Sequence, residues 1–295
     1  MRMEPARLQR AEGLGYSALR QREDIPALLA ALRRHIARIE HSEPRFDRAR
    51  SRSRPWLPGL PEIDNHLPAQ GLARCGLHDM APAAHGDMPA AMGFALALAL
   101  RRLDDPAERR PLLWCRLARV EREHGRLYGH GLERLGLARR RLITVTLKKP
   151  AALLWLMEEA LKSGALATIL GDAEAIHADL TATRRLALAA RAGKSAALLL
   201  FAGAPAAATA SQTRWRIAAA ASRSPPADDR APGIPAWTLE LTRARGGRPG
   251  QWTVEWHHAP HRFALVSGLR SGAIHPWADQ GTTTAAAEGP ALRAG

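Results

Sequence analysis

The chain has 295 residues, of which 46% are apolar and 24% charged, an ordinary globular composition with room for one large or two small buried cores. Forty-three Lys and Arg face 28 Asp and Glu, a formal net charge of +15 that argues against acidic partners and for a polyanion such as nucleic acid. Only four of the basic residues are lysines and the chain is rich in Ala, Gly and Pro, so part of the arginine excess is what GC-rich coding produces. Two cysteines, Cys75 and Cys115, exclude a disulfide framework and a zinc knuckle. The first residues lack the apolar stretch of a secretory signal, and the longest apolar run, 90–100, is far shorter than the ~20 residues that span a bilayer. The expectation is a cytoplasmic protein with no membrane partner.

Residues 1–54 read as an appendage. The stretch 25–39 (IPALLAALRRHIARI) is amphipathic, with Leu28, Leu29, Leu32, Ile36 and Ile39 on one stripe. A polar Arg/Ser linker follows it. This is a docking helix on a tether or, more sharply, an arm for a partner or DNA. Leu28, Leu32 and Ile36 would then bury against another molecule or a second copy of the chain.

From residue 55 to about 204 the pattern alternates strand and helix. Strands are predicted at 77–80, 111–117, 142–147, 166–170 and 196–201, and the last two (LATIL, AALLLF) are apolar on both faces, as covered parallel strands must be. Helices are predicted at 89–103, apolar nearly all round, and at 151–162, whose outer side carries the pair Glu158/Lys162. A third starts at Asp179 or Thr181 and stops at Gly193. Alternating βα units predict an α/β core with a mainly parallel central sheet. Beyond residue 204 the period becomes two. TRWRIA, WTLEL and QWTVEW each place Trp, Leu, Ile or Val on one face and polar residues on the other, which predicts an antiparallel β-hairpin region with its tryptophans turned inward. The segment 243–250 (RARGGRPG) is the hairpin loop, turning at Gly246-Gly247. The predicted core spans 55–267, and the tail, 268–295, lacks core-building residues and is expected to be disordered.

Several chemistries can be weighed on this frame. Gly193-Lys194-Ser195 is not a phosphate loop, because it closes a helix and opens a strand, the reverse of the order that aims backbone N–H groups at phosphate. The junction where a phosphate loop belongs, after the strand at 77–80, runs through Ala84, His85, Gly86, Asp87 and Met88. It has one glycine, no lysine and no Ser/Thr for magnesium, and Asp87 brings negative charge. These residues form a degenerate nucleotide site: ATP is not an expected cofactor and catalysis is not expected. Asp172, at the end of LATILGD, stands where a magnesium-binding carboxylate would emerge. Without the lysine and Ser/Thr it reads instead as a structural aspartate capping 173–178. His124, His130, His177, His257, His258 and His261 form no helix pair backed by a carboxylate, so no metal is expected, and His257-His258 reads as solvated. No serine lies in a G-x-S-x-G elbow. The best positive signal is basic: Arg214 and Arg216 share a strand face, and Arg243, Arg245 and Arg248 crowd one glycine-rich hairpin. That set suits phosphate contacts to DNA or a partner, or else a solvated edge that guards the sheet.

The order of the motifs carries a family resemblance. LPGLPEIDNHLPAQGLARCGLHDM resembles the lead-in to the phosphate loop of RecA-type ATPases. PLLWCRL, LYGHGLERLGLARRRLITV, LLWLMEEALKSGALATILGD, DLTATRRLALAARAG, TRWRI and ELTRARGGRPGQWTVEW then follow in an order that resembles the ImuA family, over roughly residues 57–256. The resemblance implies a RecA-like core and a place in damage-inducible (SOS) mutagenesis and translesion DNA synthesis in bacteria. It implies as partners an ImuB-like protein, related to Y-family polymerases but without their active site, and an error-prone C-family DNA polymerase, with RecA as a further candidate and a location at the nucleoid when DNA is damaged. RecA's phosphate-loop Lys and Thr have no counterparts here, so ATPase activity does not carry over and no catalytic residue is transferred. The alternatives are a residual RecA-type ATPase using Asp172 on magnesium, and a general DNA-binding protein.

Overall fold

A computed structural model of the chain describes residues 56–173, 178–204, 207–222 and 233–266. The predicted N-terminal helix with Leu28, Leu32 and Ile36, and the tail from 268, lie outside the described residues.

The fold is α/β, built on one nine-stranded sheet of order β3-β2-β4-β5-β1-β6-β7-β8-β9. The strands are β1 (Leu77–Pro82), β2 (Leu112–Leu117), β3 (Leu142–Leu147), β4 (Thr168–Asp172), β5 (Ala196–Leu200), β6 (Thr213–Ala219), β7 (Ala236–Ala244), β8 (Gly250–His257) and β9 (Arg262–Leu265). β1 to β6 are all parallel; the direction reverses at β7, and β7 to β9 form an antiparallel meander. Every residue of β1, β2, β4 and β5 is buried, as strands covered on both faces require. β6 differs from its expected role. Its alternating pattern looks like one-sided antiparallel sheet, but it pairs parallel with β1 and antiparallel with β7, and so joins the two halves.

The helices are α1 (Pro61–Asp64), α2 (Met88–Leu103), α3 (Ala118–His124), α4 (Gly129–Arg134), α5 (Pro150–Lys162) and α6 (Leu180–Ala192). α2 is apolar nearly all round because it is enclosed. Its Phe94 ring lies 5.7 Å from Trp215 of β6, 6.0 Å from Trp237 of β7 and 5.7 Å from Phe263 of β9, so one helix clamps the parallel half to the meander. Gly93 lets Trp237 approach, since a Cβ there would lie 3.3 Å from the indole. α5 covers the other face at β4, where Met157 fills the space a side chain on Gly171 would take. Asp179 caps α6 by accepting from the Ala182 N–H at 2.7 Å. Gly193 ends α6 against α5, since a Cβ there would lie 1.7 Å from the Leu161 carbonyl oxygen. The Glu158/Lys162 pair forms at 2.8 Å and is extended by Arg185 at 2.5 Å. No helix among the described residues is long and apolar enough to cross a membrane.

Buried His78 on β1 ties the sheet to the segment before it. The Ala73 carbonyl can only accept, so Nε2 carries the hydrogen across 2.9 Å. The Trp215 indole donates to Thr213 Oγ1, leaving the threonine hydroxyl to donate to Nδ1 at 2.8 Å. Burial then holds the imidazole neutral and pushes its pKa from the usual 6.5 down to about 4. Below pH 6.5 the unfolded chain takes up a proton that the folded chain refuses, so His78 makes stability fall as pH drops from 6.5 toward about 4. Asp64 acts in the opposite sense. Burial raises its pKa from 3.8 to about 6, so acid relieves the cost of its charge. A His78→Gln variant should therefore lose less stability than the parent between pH 6.5 and 4, by up to about 3 kcal/mol, in urea unfolding followed across that range. Identical acid limbs for the two proteins would refute this.

Candidate functional site

The βα junction after β1 is closed on itself. The chain follows β6 one residue past the strand, with Ala83 N–H donating to the Ile217 carbonyl at 2.7 Å. It then makes a single 3-10 turn, His85–Asp87, into α2. Asp87 closes this turn. Its Oδ2 accepts from the Ala84 N–H at 3.1 Å and its Oδ1 from the Ala219 N–H at the end of β6 at 2.9 Å. The carboxylate thus takes one N–H of the junction itself, that of Ala84, and ties the junction to the end of β6 through the other. Gly86 faces open space, with nothing within 4 Å of where a Cβ would stand. His85 is exposed and meets Glu123 of α3 at 3.1 Å, and Met88 turns into the core at 1% exposure.

Asp172 ends β4 on the same sheet face, fully buried, and its partner is a cation from the neighbouring strand. Arg116 of β2, itself 3% exposed, places Nε 3.3 Å from Asp172 Oδ2, donates from Nη1 to the Gly125 carbonyl at 2.9 Å and reaches Met92 of α2 with Nη2. Asp172 is held by this ion pair; the capping role expected of it over 173–178 falls on residues 174–177, which lie outside the described residues. A guanidinium in contact with this carboxylate also opposes a divalent cation there.

The basic residues do not form one surface. Arg214 and Arg243 are directly paired across β6 and β7, and both turn toward buried Asp79 of β1, on the sheet face opposite Asp172. Asp79 Oδ2 accepts from the hydroxyls of Thr209 and Ser211 and lies 3.4 Å from Arg214 Nε. Arg243 donates from Nη2 to the carbonyl of Ser211 at 2.7 Å and that of Thr209 at 3.1 Å. Burial raises the pKa of Asp79, while the two hydroxyls and the two guanidiniums oppose that rise. Burial, with Arg214 alongside, lowers the pKa of Arg243. Their geometry is that of an internal clamp on the connection between β5 and β6, not of a free phosphate-contacting pair. Arg216 lies 3.8 Å from Glu240 and donates to the Ala83 carbonyl, while Arg245 and Arg248 are exposed. The hairpin tip is also anchored. Arg248 N–H donates to the His66 carbonyl at 2.9 Å, and a Cβ on Gly247 would lie 2.2 Å from that oxygen. Trp215, Trp237, Trp252 and Trp256 are buried, as their alternation predicts. His257 and His258 are half-buried rather than solvated, with His257 held by Glu255 at 3.0 Å.

Sequence reasoning missed the Asp79 cluster and exposed Tyr128. An aspartate inside the apolar strand LHDMAP was the available signal for the first. Nothing in the periodicity marks the second.

Fold and site together define a class: an α/β protein whose mainly parallel sheet continues into an antiparallel meander, and whose β1–α2 junction is pinned by a carboxylate. No family model matches the chain. Protein ImuA of Caulobacter vibrioides (strain NA1000 / CB15N) is 38% identical over 224 residues, covering 72% of this chain and 88% of that protein, and Protein ImuA of strain ATCC 19089 / CIP 103742 / CB 15 matches to the same extent. The chain belongs to the ImuA family. Among solved structures, SulA from Pseudomonas aeruginosa is 26% identical, covering 42% of this chain and 95% of that one, with a TM-score of 0.34, too loose a superposition to bear on the fold.

Proposed function

We propose that this ImuA-family protein acts in SOS mutagenesis as a non-catalytic, RecA-like adaptor in translesion DNA synthesis. It works with an ImuB-like protein and an error-prone C-family DNA polymerase, in the cytoplasm at the damaged chromosome. One observation carries the reading: at the junction where a RecA-type ATPase would hold its triphosphate, the Asp87 carboxylate is bonded to the N–H groups of Ala84 and Ala219, and Arg116 is paired with Asp172. Family membership supports the mutagenesis context, since the curated relatives bear the name ImuA. The exposed arginines of the hairpin, Arg245 and Arg248, supply contacts to partner or DNA phosphate.

Affinity capture of the full chain from DNA-damaged bacteria, with and without nuclease, tests the adaptor role. The expected result is recovery of the ImuB-like protein and the C-family polymerase in both samples. Loss of both after nuclease would replace the adaptor with a protein held to them through DNA alone.

A further inference from the structure

The segment 119–141 contains seven arginines and three glutamates, and the structure separates the engaged ones from the rest. Each glutamate is occupied: Glu121 accepts from Thr146, Glu123 meets His85, and Glu133 pairs with Arg139 at 2.6 Å. Arg141 donates to the carbonyls of Glu108 and Arg110. The side chains of Arg119, Arg122, Arg126, Arg134 and Arg140 are exposed and make no hydrogen bond or ion pair among the described residues. Arg119 and Arg122 stand one turn apart on α3, Arg126 lies two residues before Tyr128, and Arg134 ends α4.

Among these arginines, Tyr128 is 70% exposed, the most exposed large hydrophobic side chain among the described residues. It is also held in place. Gly131 accommodates the ring at the start of α4, where a Cβ would lie 3.0 Å from it. The His130 ring is 5.6 Å away, and His130 is in turn 3.1 Å from Arg139. Tyr128, His130, Glu133 and Arg134 line one open depression of about 620 Å³. The segment is fixed from below by Arg116, which donates to the carbonyl of Gly125, a residue at φ +81°.

We propose that the α3–α4 surface binds single-stranded nucleic acid, with Tyr128 as a stacking platform for a base and Arg126, Arg134 and their neighbours on the phosphates. A braced, outward-facing aromatic ring among unpaired guanidiniums is the combination that single strands use: every base has a π-face, and the backbone follows positive charge. Duplex fits poorly, because α3 and α4 have seven and six residues, about 10 Å each, too short to read a major groove. An acidic peptide would use the arginines but gain little from the ring. The site is separate from the hairpin and stands whether or not the protein is an adaptor.

The test is fluorescence anisotropy of a labelled 20-residue oligo(dT) with the full chain, at several salt concentrations between about 50 and 200 mM. Tyr128→Ala should weaken binding about tenfold or more with the salt slope unchanged, and Tyr128→Trp should restore it. Arg126→Gln with Arg134→Gln should lower the slope of log K against log salt by roughly 1.4. Arg184→Gln on α6, an exposed arginine with no role in either surface, should leave binding to this probe within about twofold. All these side chains are exposed, so unchanged thermal unfolding certifies each variant. The proposal is overturned if the parent does not bind the oligonucleotide, if it binds the matching duplex as tightly, if polyglutamate competes as well as oligo(dT), or if Arg245→Gln with Arg248→Gln, and not Tyr128→Ala, abolishes binding.

Discussion

Arg116→Met is expected to cost about 3–5 kcal/mol of folding stability, the range for removing one partner of a buried ion pair. Arg116 is 3% exposed and Asp172 fully buried, so the substitution withdraws the cation from a carboxylate that has little solvent to turn to, and also loses the bond to the Gly125 carbonyl. Asp172→Leu alone should destabilise comparably, because the guanidinium is then the stranded charge. The double variant should recover most of the loss, since apolar pairs of similar volume often replace buried ion pairs at little cost. Urea midpoints of the four proteins give the coupling directly. If Arg116→Met costs less than about 1 kcal/mol, Asp172 does not depend on that pair and a role as a magnesium ligand returns.

Trp215→Ala should be of similar size, about 3–5 kcal/mol. The indole is fully buried, packs on Phe94 of α2 and lies 6.4 Å from Trp252 of β8, and its N–H fixes the Thr213 hydroxyl that orients His78. Its removal opens a cavity at the seam where β6 joins the parallel sheet to the meander. Amide exchange should accelerate first in β7 to β9. Equal acceleration across the whole sheet would instead mean that the two halves unfold as one unit.

The centre of the parallel half was legible because covered strands have to be apolar on both faces, as LATIL and AALLLF are; the edge strand at 142–147, open on its faces, matches β3 residue for residue through its β-branched run. The meander was legible through period two, down to the inward tryptophans. β9 was not, because RFAL offers four residues and no period to read. α3 and α4 were missed for the same reason: each is under two turns or close to it, polar and flanked by glycine, and each is held by tertiary contacts such as Arg116 to Gly125 rather than by its own pattern. The degenerate junction could be read from its missing lysine, but the bonds of Asp87 could not, since Ala219 lies 132 residues on. The placement of the basic residues was hidden for the same reason. Arg214 and Arg243 look alike with Arg245 in sequence, and only the register that sets them beside Asp79 shows that two of the three face inward.

Asp87 bonded to Ala84 and Ala219, with Arg116 on Asp172, is expected to leave the β1–α2 junction unable to hold a triphosphate. Thermal unfolding of the full chain with ATP–Mg²⁺ raised to about 5 mM measures this most directly, because a ligand at 100 times its Kd adds about 2.7 kcal/mol, about 5 °C or more for a domain of this size. The melting temperature should not move. A rise of that size, abolished by Asp172→Asn in a variant that still folds, would contradict the account.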